Sequence, residues 1–163
     1  MAVEVMMMKG KWKWLLLCLG LPLAVGGLAA FLTRGSMKIF ENLNQPPLSP
    51  PGWLFPVVWT VLYALMGLAS FLVLTSGAEQ VKIRRALGVY LAQLGFNFLW
   101  SILFFNLEVY LAAFFWLVGL WALVLVTMVL FYKIRPVAGD LMLPYLLWVT
   151  FAGYLNYGVY LLN

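Results

Sequence analysis

Five apolar runs long enough to cross a bilayer recur along the chain, parted by short polar or proline-rich segments. About 20 residues of helix cross a bilayer core. The pattern predicts spans over residues 14–33, 53–76, 86–105, 110–132 and 141–162. The expected fold is an all-α integral membrane protein, a single bundle of five transmembrane helices, read as one domain over residues 1–163. No internal repeat of the kind expected in many transporters is visible.

The breaks carry their own signals. Residues 1–13 hold Lys9, Lys11 and Lys13 ahead of the first run, like the start of a signal peptide. No cleavage site followed by a soluble chain appears, so the run is read as a retained span. Gly20, Pro22, Ala24, Gly26 and Gly27 make it rich in small residues, which suits close helix contact. The one substantial loop, residues 34–52, contains Pro46, Pro47, Pro50 and Pro51 and is expected to be extended or turned. It is either a lid over the second span or only a connector. Residues 77–85 and 133–140 read as short polar links, and residues 106–109 as a tight turn. Asp140 is placed to cap the last helix.

Pro50 and Pro51 hold the second helix to a start just after them, and Pro56 fits only its first turn. Beyond it, Trp59, Tyr63, Met66 and Ser70 recur at four, three and four residues and make one stripe. Helix packing with an aromatic belt at the membrane surface explains such a stripe. On spacing alone that reading outweighs the alternative, a ligand-facing wall. On span three Gln93, Asn97 and Trp100 share a face, and Asn156 lies deep in span five. These amides either join neighbouring helices or orient a mostly apolar ligand in a cavity. Pro144, Trp148, Ala152 and Leu155 form a second stripe, where a large aromatic beside a small residue leaves room for a flat ligand or for a neighbour's side chain.

Composition confirms the class: 66% of the 163 residues are hydrophobic and 9% charged, against about half and about a quarter in soluble domains. The net charge of +5 marks topology rather than nucleic-acid binding. Lys9, Lys11, Lys13, Lys82, Arg84, Arg85, Lys133 and Arg135 fall on one side of a five-span bundle, and Arg34 and Lys38 on the other. The positive-inside rule then places the amino terminus inside, with the proline loop and the carboxy terminus outside; a bacterial cell membrane is expected, or the mitochondrial outer membrane in a eukaryote. Glu4, Glu41, Glu79, Glu108 and Asp140 all lie in loops or at span edges. A proton-coupled pump needs an ionisable group inside the membrane, so that class is disfavoured. The chain has no histidine, which removes the commonest base and metal ligand. Cys18 is alone and reads as a small core residue. No metal site is expected.

Three motifs, in order, resemble one family. They are Pro50-Pro51-Gly52-Trp53 with residues 55–63, then Gln93-Leu94-Gly95-Phe96-Asn97-Phe98-Leu99-Trp100-Ser101 followed by Phe104-Phe105, then residues 144–156. The chain is similar to the translocator protein or tryptophan-rich sensory protein family (TspO/MBR), also called the peripheral-type benzodiazepine receptor family, over about residues 22–163. The resemblance implies a binder of porphyrins, sterols and synthetic isoquinoline or benzodiazepine ligands, with a cavity among the helices under the first loop. Trp59 and Trp148 would flank the ligand. Tyr63, Asn97, Trp100, Ala152 and Leu155 would line the same cavity, with Trp53, Gln93 and Asn156 as secondary candidates. Porphyrin would be ligand rather than cofactor. Partners implied are a porphyrin or other flat apolar ligand, membrane lipid and a second copy in a homodimer, for which Ala86, Gly88, Ala92 and Gly95 offer a contact face.

The sequence departs from the family in two places. Many relatives carry Trp-Tyr and then Leu-x-Lys-Pro in the first loop, where this chain has Ile39-Phe40 and Leu43-Asn44-Gln45-Pro46. An indole, a phenol and a cation are gone, leaving Arg34 or Lys38 for a tetrapyrrole's carboxylates. The cation that animal members carry after a tyrosine near the end of span five is missing from residues 157–163, so steroid transport is not expected. Three readings follow: a membrane receptor or sensor for porphyrin-like ligands, a light- and oxygen-dependent porphyrin-degrading enzyme, and a passive transporter of apolar ligands.

Overall fold

The computed structural model describes residues 2–163, with side chains from Gly10 onward; Met1 and the side chains of residues 2–9, Glu4 and Lys9 among them, lie outside that description. The helices are α1 (Ala2–Thr33), α2 (Met37–Glu41), α3 (Leu54–Leu74), α4 (Gln80–Ser101), α5 (Tyr110–Ile134), α6 (Pro136–Asp140) and α7 (Leu143–Leu162). A π-helical turn, Ile102–Asn106, continues α4. Five segments are long and apolar enough to cross a membrane: Gly10–Thr33, Leu54–Leu74, Gln80–Asn106, Tyr110–Ile134 and Pro136–Leu162. α1 packs on α3, α4 on α5, and α5 on α7. α3 also meets the α6–α7 segment and α1 meets α4, which closes a ring in the order α1, α3, α7, α5, α4.

Three local expectations are corrected. The first loop is not wholly irregular. Its prolines begin at Pro46, so nothing prevents Met37–Glu41 from forming a helical turn, and burial of Phe40 holds that turn down. The link expected over residues 77–85 is helical from Gln80, because Ile83, Ala86 and Tyr90 all face the core at helical spacing. Asp140 does not cap the last helix. It closes α6, which starts with Pro136 in its first turn, and Met142 stands before α7 without a side-chain cap.

Pro22 shapes the α1–α3 seam. A proline has no N–H, so the Cys18 carbonyl four residues earlier loses its helical donor. Gly67 of α3 packs on that carbonyl: a Cβ added there would lie 2.6 Å from the Cys18 oxygen and 2.7 Å from the Leu19 Cα. Further along the same seam, Gly26 leaves space that the Tyr63 ring occupies. Both contacts need a hydrogen in place of a side chain, the small-residue packing common between membrane helices.

The first loop is fastened to the end of α7. The backbone N–H of Asn44 donates to Asn163 Oδ1 at 3.0 Å, and Asn163 Nδ2 donates back to the Asn44 carbonyl at 3.0 Å. Tyr154 Oη donates to the Pro47 carbonyl at 2.8 Å. Pro46 fills the gap left by Gly158.

A Gly67→Ala change should push backbone against backbone and cost about 1–3 kcal/mol, the usual range for overpacking. Thermal unfolding in detergent checks this, with Gly20→Ala as control, since a Cβ at Gly20 meets nothing within 4 Å. The expected result is a clear loss of thermal stability for the first variant and almost none for the second.

Candidate functional site

An apolar hollow of about 240 Å³ lies among the helices under the first loop. Its walls come from five elements. α1 contributes Gly26, Ala29, Ala30 and Thr33, and α2 contributes Met37 and Phe40. α3 supplies Phe55, Pro56, Trp59 and Tyr63, and α4 with its π turn supplies Trp100, Ser101, Phe104 and Phe105. α7 brings Trp148, Ala152, Leu155 and Asn156. The small residues of α1 leave the space; the aromatic rings of the other elements enclose it.

The rings form a continuous sleeve. Trp59 stacks on Tyr63 with centroids 5.5 Å apart and planes 28° apart, and lies 6.5 Å from Trp100. Trp100 stacks on Phe104 at 5.5 Å. Phe40 meets Phe55, Phe104 and Phe105 at 6.0, 5.8 and 5.6 Å, and Phe55 meets Trp148 edge-on at 6.0 Å. The π turn explains why two successive phenylalanines both reach this wall. In an α-helix adjacent side chains point about 100° apart. Here Leu107 N–H bonds back to Ile102 C=O, five residues earlier, at 3.0 Å. This widens the turn and brings Phe105 beside Phe104.

Behind the wall runs a chain of buried hydrogen bonds. Tyr63 Oη donates to Asn97 Oδ1 at 2.9 Å, and Asn97 Nδ2 donates to Tyr145 Oη at 2.7 Å. Tyr145 Oη then donates to Gln93 Oε1 at 2.8 Å, and Gln93 Nε2 points at the Met66 sulfur at 3.7 Å. A second knot joins Trp100 Nε1, donating to Asn156 Oδ1 at 3.0 Å, with Asn156 Nδ2, donating to the Tyr110 carbonyl at 2.8 Å. An unpaired buried amide costs a few kcal/mol in apolar surroundings, so these pairings fix the side chains firmly.

Seven of the expected residues meet at the cavity: Trp59, Tyr63, Trp100, Trp148, Ala152, Leu155 and Asn156. Three do not. Asn97 and Gln93 lie behind Tyr63, with their amides turned to other helices. Trp53 stands outside at the start of α3, 67% exposed. Sequence reading passed over Phe40, Phe55, Phe104, Phe105 and the small residues of α1. Phe104-Phe105 was visible as a motif, but ordinary helical geometry gives no reason to turn both residues inward.

The cavity wall holds no charged side chain, and the described residues hold no cluster of His, Cys, Asp or Glu able to bind a metal. The indoles of Trp100, Trp116 and Trp121 all donate to protein acceptors. Those of Trp59 and Trp148 have no protein acceptor among the described residues. The site therefore offers stacking surface and apolar burial, with two lining indoles whose N–H groups are unpaired among the described residues.

The TspO/MBR family model matches residues 18–162. The chain belongs to the TspO/MBR family. The tryptophan-rich protein TspO of Chlorobaculum tepidum is 38% identical over 150 residues, covering 91% of this chain and 95% of that one. The tryptophan-rich sensory protein of Cereibacter sphaeroides is 40% identical over 124 residues, 76% of each chain. The translocator protein of Bos taurus is 34% identical over 139 residues, 84% of this chain and 82% of its own. With five apolar spans and this family membership, the TspO/MBR chain is a multi-pass integral membrane protein.

A Tyr145→Phe change removes the hydroxyl that both accepts from Asn97 and donates to Gln93. Two buried amide groups lose a partner, so stability should fall by about 1–3 kcal/mol. Thermal unfolding measures it; an unchanged transition would mean that the amides find other partners. An Asn163→Ala change should loosen only the loop, seen as about tenfold faster hydrogen exchange over residues 42–48 with the helices unaffected.

Proposed function

We propose that this protein is a membrane receptor or sensor that holds a flat, mostly apolar aromatic ligand in the cavity, of the porphyrin-like tetrapyrrole or isoquinoline and benzodiazepine type. One observation carries the reading: Trp59 and Trp148 both line an uncharged hollow, and neither indole N–H has a protein acceptor among the described residues. Burying such donors without a partner is unfavourable, and a ligand with acceptor atoms near its centre supplies one. Stacking on the aromatic sleeve adds affinity.

Size divides the candidates. A volume of about 240 Å³ is just under the range of about 300–1,000 Å³ usual for ligand pockets. A bicyclic ligand enters with little change. A tetrapyrrole needs the first loop to lift, so its affinity depends on how readily the Asn44–Asn163 fastening opens.

The arrangement of cations supports an orientation with the amino terminus inside and the first loop outside. A homodimer through α4 is also proposed. Gly88, Ala92 and Gly95 face outward there, and a Cβ on Gly88 or Gly95 would meet nothing within 4 Å. Ala86 does not join that face, because it is buried in the core. Cross-linking in membranes should yield a species of dimer mass; monomer alone counts against this assembly.

The ligand test is a dark titration with protoporphyrin IX, followed by its absorption band. Saturation at one site per chain is expected. Trp59→Phe and Trp148→Phe should each weaken binding about tenfold, in line with the loss of a hydrogen bond and stacking area. Trp121→Phe should leave binding unchanged, since Trp121 lies on the outer face and donates to Thr150. Equal effects from all three changes would remove the site. Illumination then separates receptor from degrading enzyme: porphyrin lost no faster than in detergent alone leaves the receptor.

A further inference from the structure

We propose that Glu41 sets the charge preference of the cavity mouth, so that a ligand whose outer end is neutral, cationic or hydrogen-bond donating binds better than one carrying carboxylates there. This rests on the reading of the cavity as a ligand site.

Glu41 ends α2, directly after Phe40, whose ring closes the cavity. Its carboxylate lies over Gly52, which is itself part of the cavity rim: a Cβ built on Gly52 would be 3.0 Å from Glu41 Oε1. Among the described residues no cation forms an ion pair with it. The guanidinium of Arg34 sits 4.2 Å from the centre of the Phe31 ring on α1. Lys38 is one helical turn before Glu41, a spacing that permits an ion pair. The ion pair that forms among the described residues, however, is Lys82 with Glu79, at the other end of the bundle. Gln45 and Asn44, also in the loop, are spent on the Phe40 and Leu162 carbonyls. A ligand held between the indoles therefore meets aromatic faces along its middle and an unpaired carboxylate at its outer edge.

Glu41 is solvated, so the effect is moderate. Two like charges about 6 Å apart in a water-like dielectric repel enough to weaken binding about threefold per ligand carboxylate. Salt screens it, since the Debye length is about 10 Å at 0.1 M.

The test compares protoporphyrin IX with its dimethyl ester on the full chain in neutral detergent, in the dark, at low and high salt. The unaltered protein should bind the ester several-fold more tightly than the diacid. Glu41→Gln should tighten the diacid about threefold to tenfold and leave the ester unchanged, and high salt should narrow the same gap. Glu79→Gln, at the far end of the bundle, should change neither. A gap that Glu41→Gln leaves intact overturns the proposal. So does an equal shift for both ligands, which would mean that the loop moved and charge played no part. An isoquinoline carboxamide and the matching carboxylic acid repeat the comparison on a ligand small enough for the closed cavity. If neither porphyrin binds, the tetrapyrrole reading fails, and the isoquinoline pair alone decides for or against Glu41: a preference for the amide that Glu41→Gln abolishes supports it, and equal affinities reject it.

Discussion

Tyr63, Asn97, Tyr145 and Gln93 make one unbroken line of hydrogen bonds through the apolar interior, and the rest of the structure depends on it. The line crosses three helices, α3, α4 and α7. Apolar packing alone discriminates poorly between helix registers in a membrane, because lipid tails are as apolar as leucine. A buried amide does discriminate: turned or shifted by one residue, it loses its partners at a cost of a few kcal/mol. The second knot, Trp100–Asn156–Tyr110, adds α5 to the same scheme. α1 is joined differently, by Gly67 and Gly26 accepting close contact from the Cys18 carbonyl and the Tyr63 ring.

This bracing gives the cavity its form. Tyr63 belongs to both systems: its hydroxyl is held by Asn97, and its ring supports Trp59 from behind. Trp100 is likewise anchored through its indole, so its face stays turned to the hollow. Rings fixed in this way lose little freedom when a ligand arrives, which favours binding by an already ordered site. The covering side is of another kind. The loop over the cavity is held by exposed hydrogen bonds to the end of α7, weaker than the buried ones and easier to open. A rigid floor with an openable cover suits a receptor whose ligand must enter and leave.

Much of this was legible in the order of residues. Hydropathy marks the five spans because a bilayer imposes their length. The stripe Trp59–Tyr63–Met66–Ser70 turns inward, with Met66 fully buried. Gln93, Asn97 and Trp100 share a buried face as their spacing requires. What spacing leaves open is the partner. Nothing in the sequence says that Asn97 turns to two tyrosines and not to a ligand, because that choice depends on α3 and α7 bringing Tyr63 and Tyr145 within reach of α4. Phe104 and Phe105 were hidden by the π turn, which no residue type announces. The helical turn at Met37–Glu41 was hidden by the prolines that follow it. Asp140 looked like a cap because Pro136 and the short α6 were read as part of a link.

Covalent mapping of a bound ligand bears most directly on the central claim, that the braced aromatic cavity is where ligand sits. A porphyrin or isoquinoline carrying a photoactivated diazirine would be bound, irradiated and located by peptide mass spectrometry. Adducts are expected on the segments holding Trp59, Phe104 and Phe105, and Trp148, all suppressed by excess unlabelled ligand. Suppressible adducts confined instead to the outer groove of α5 and α7, around Trp121 and Tyr154, would contradict it.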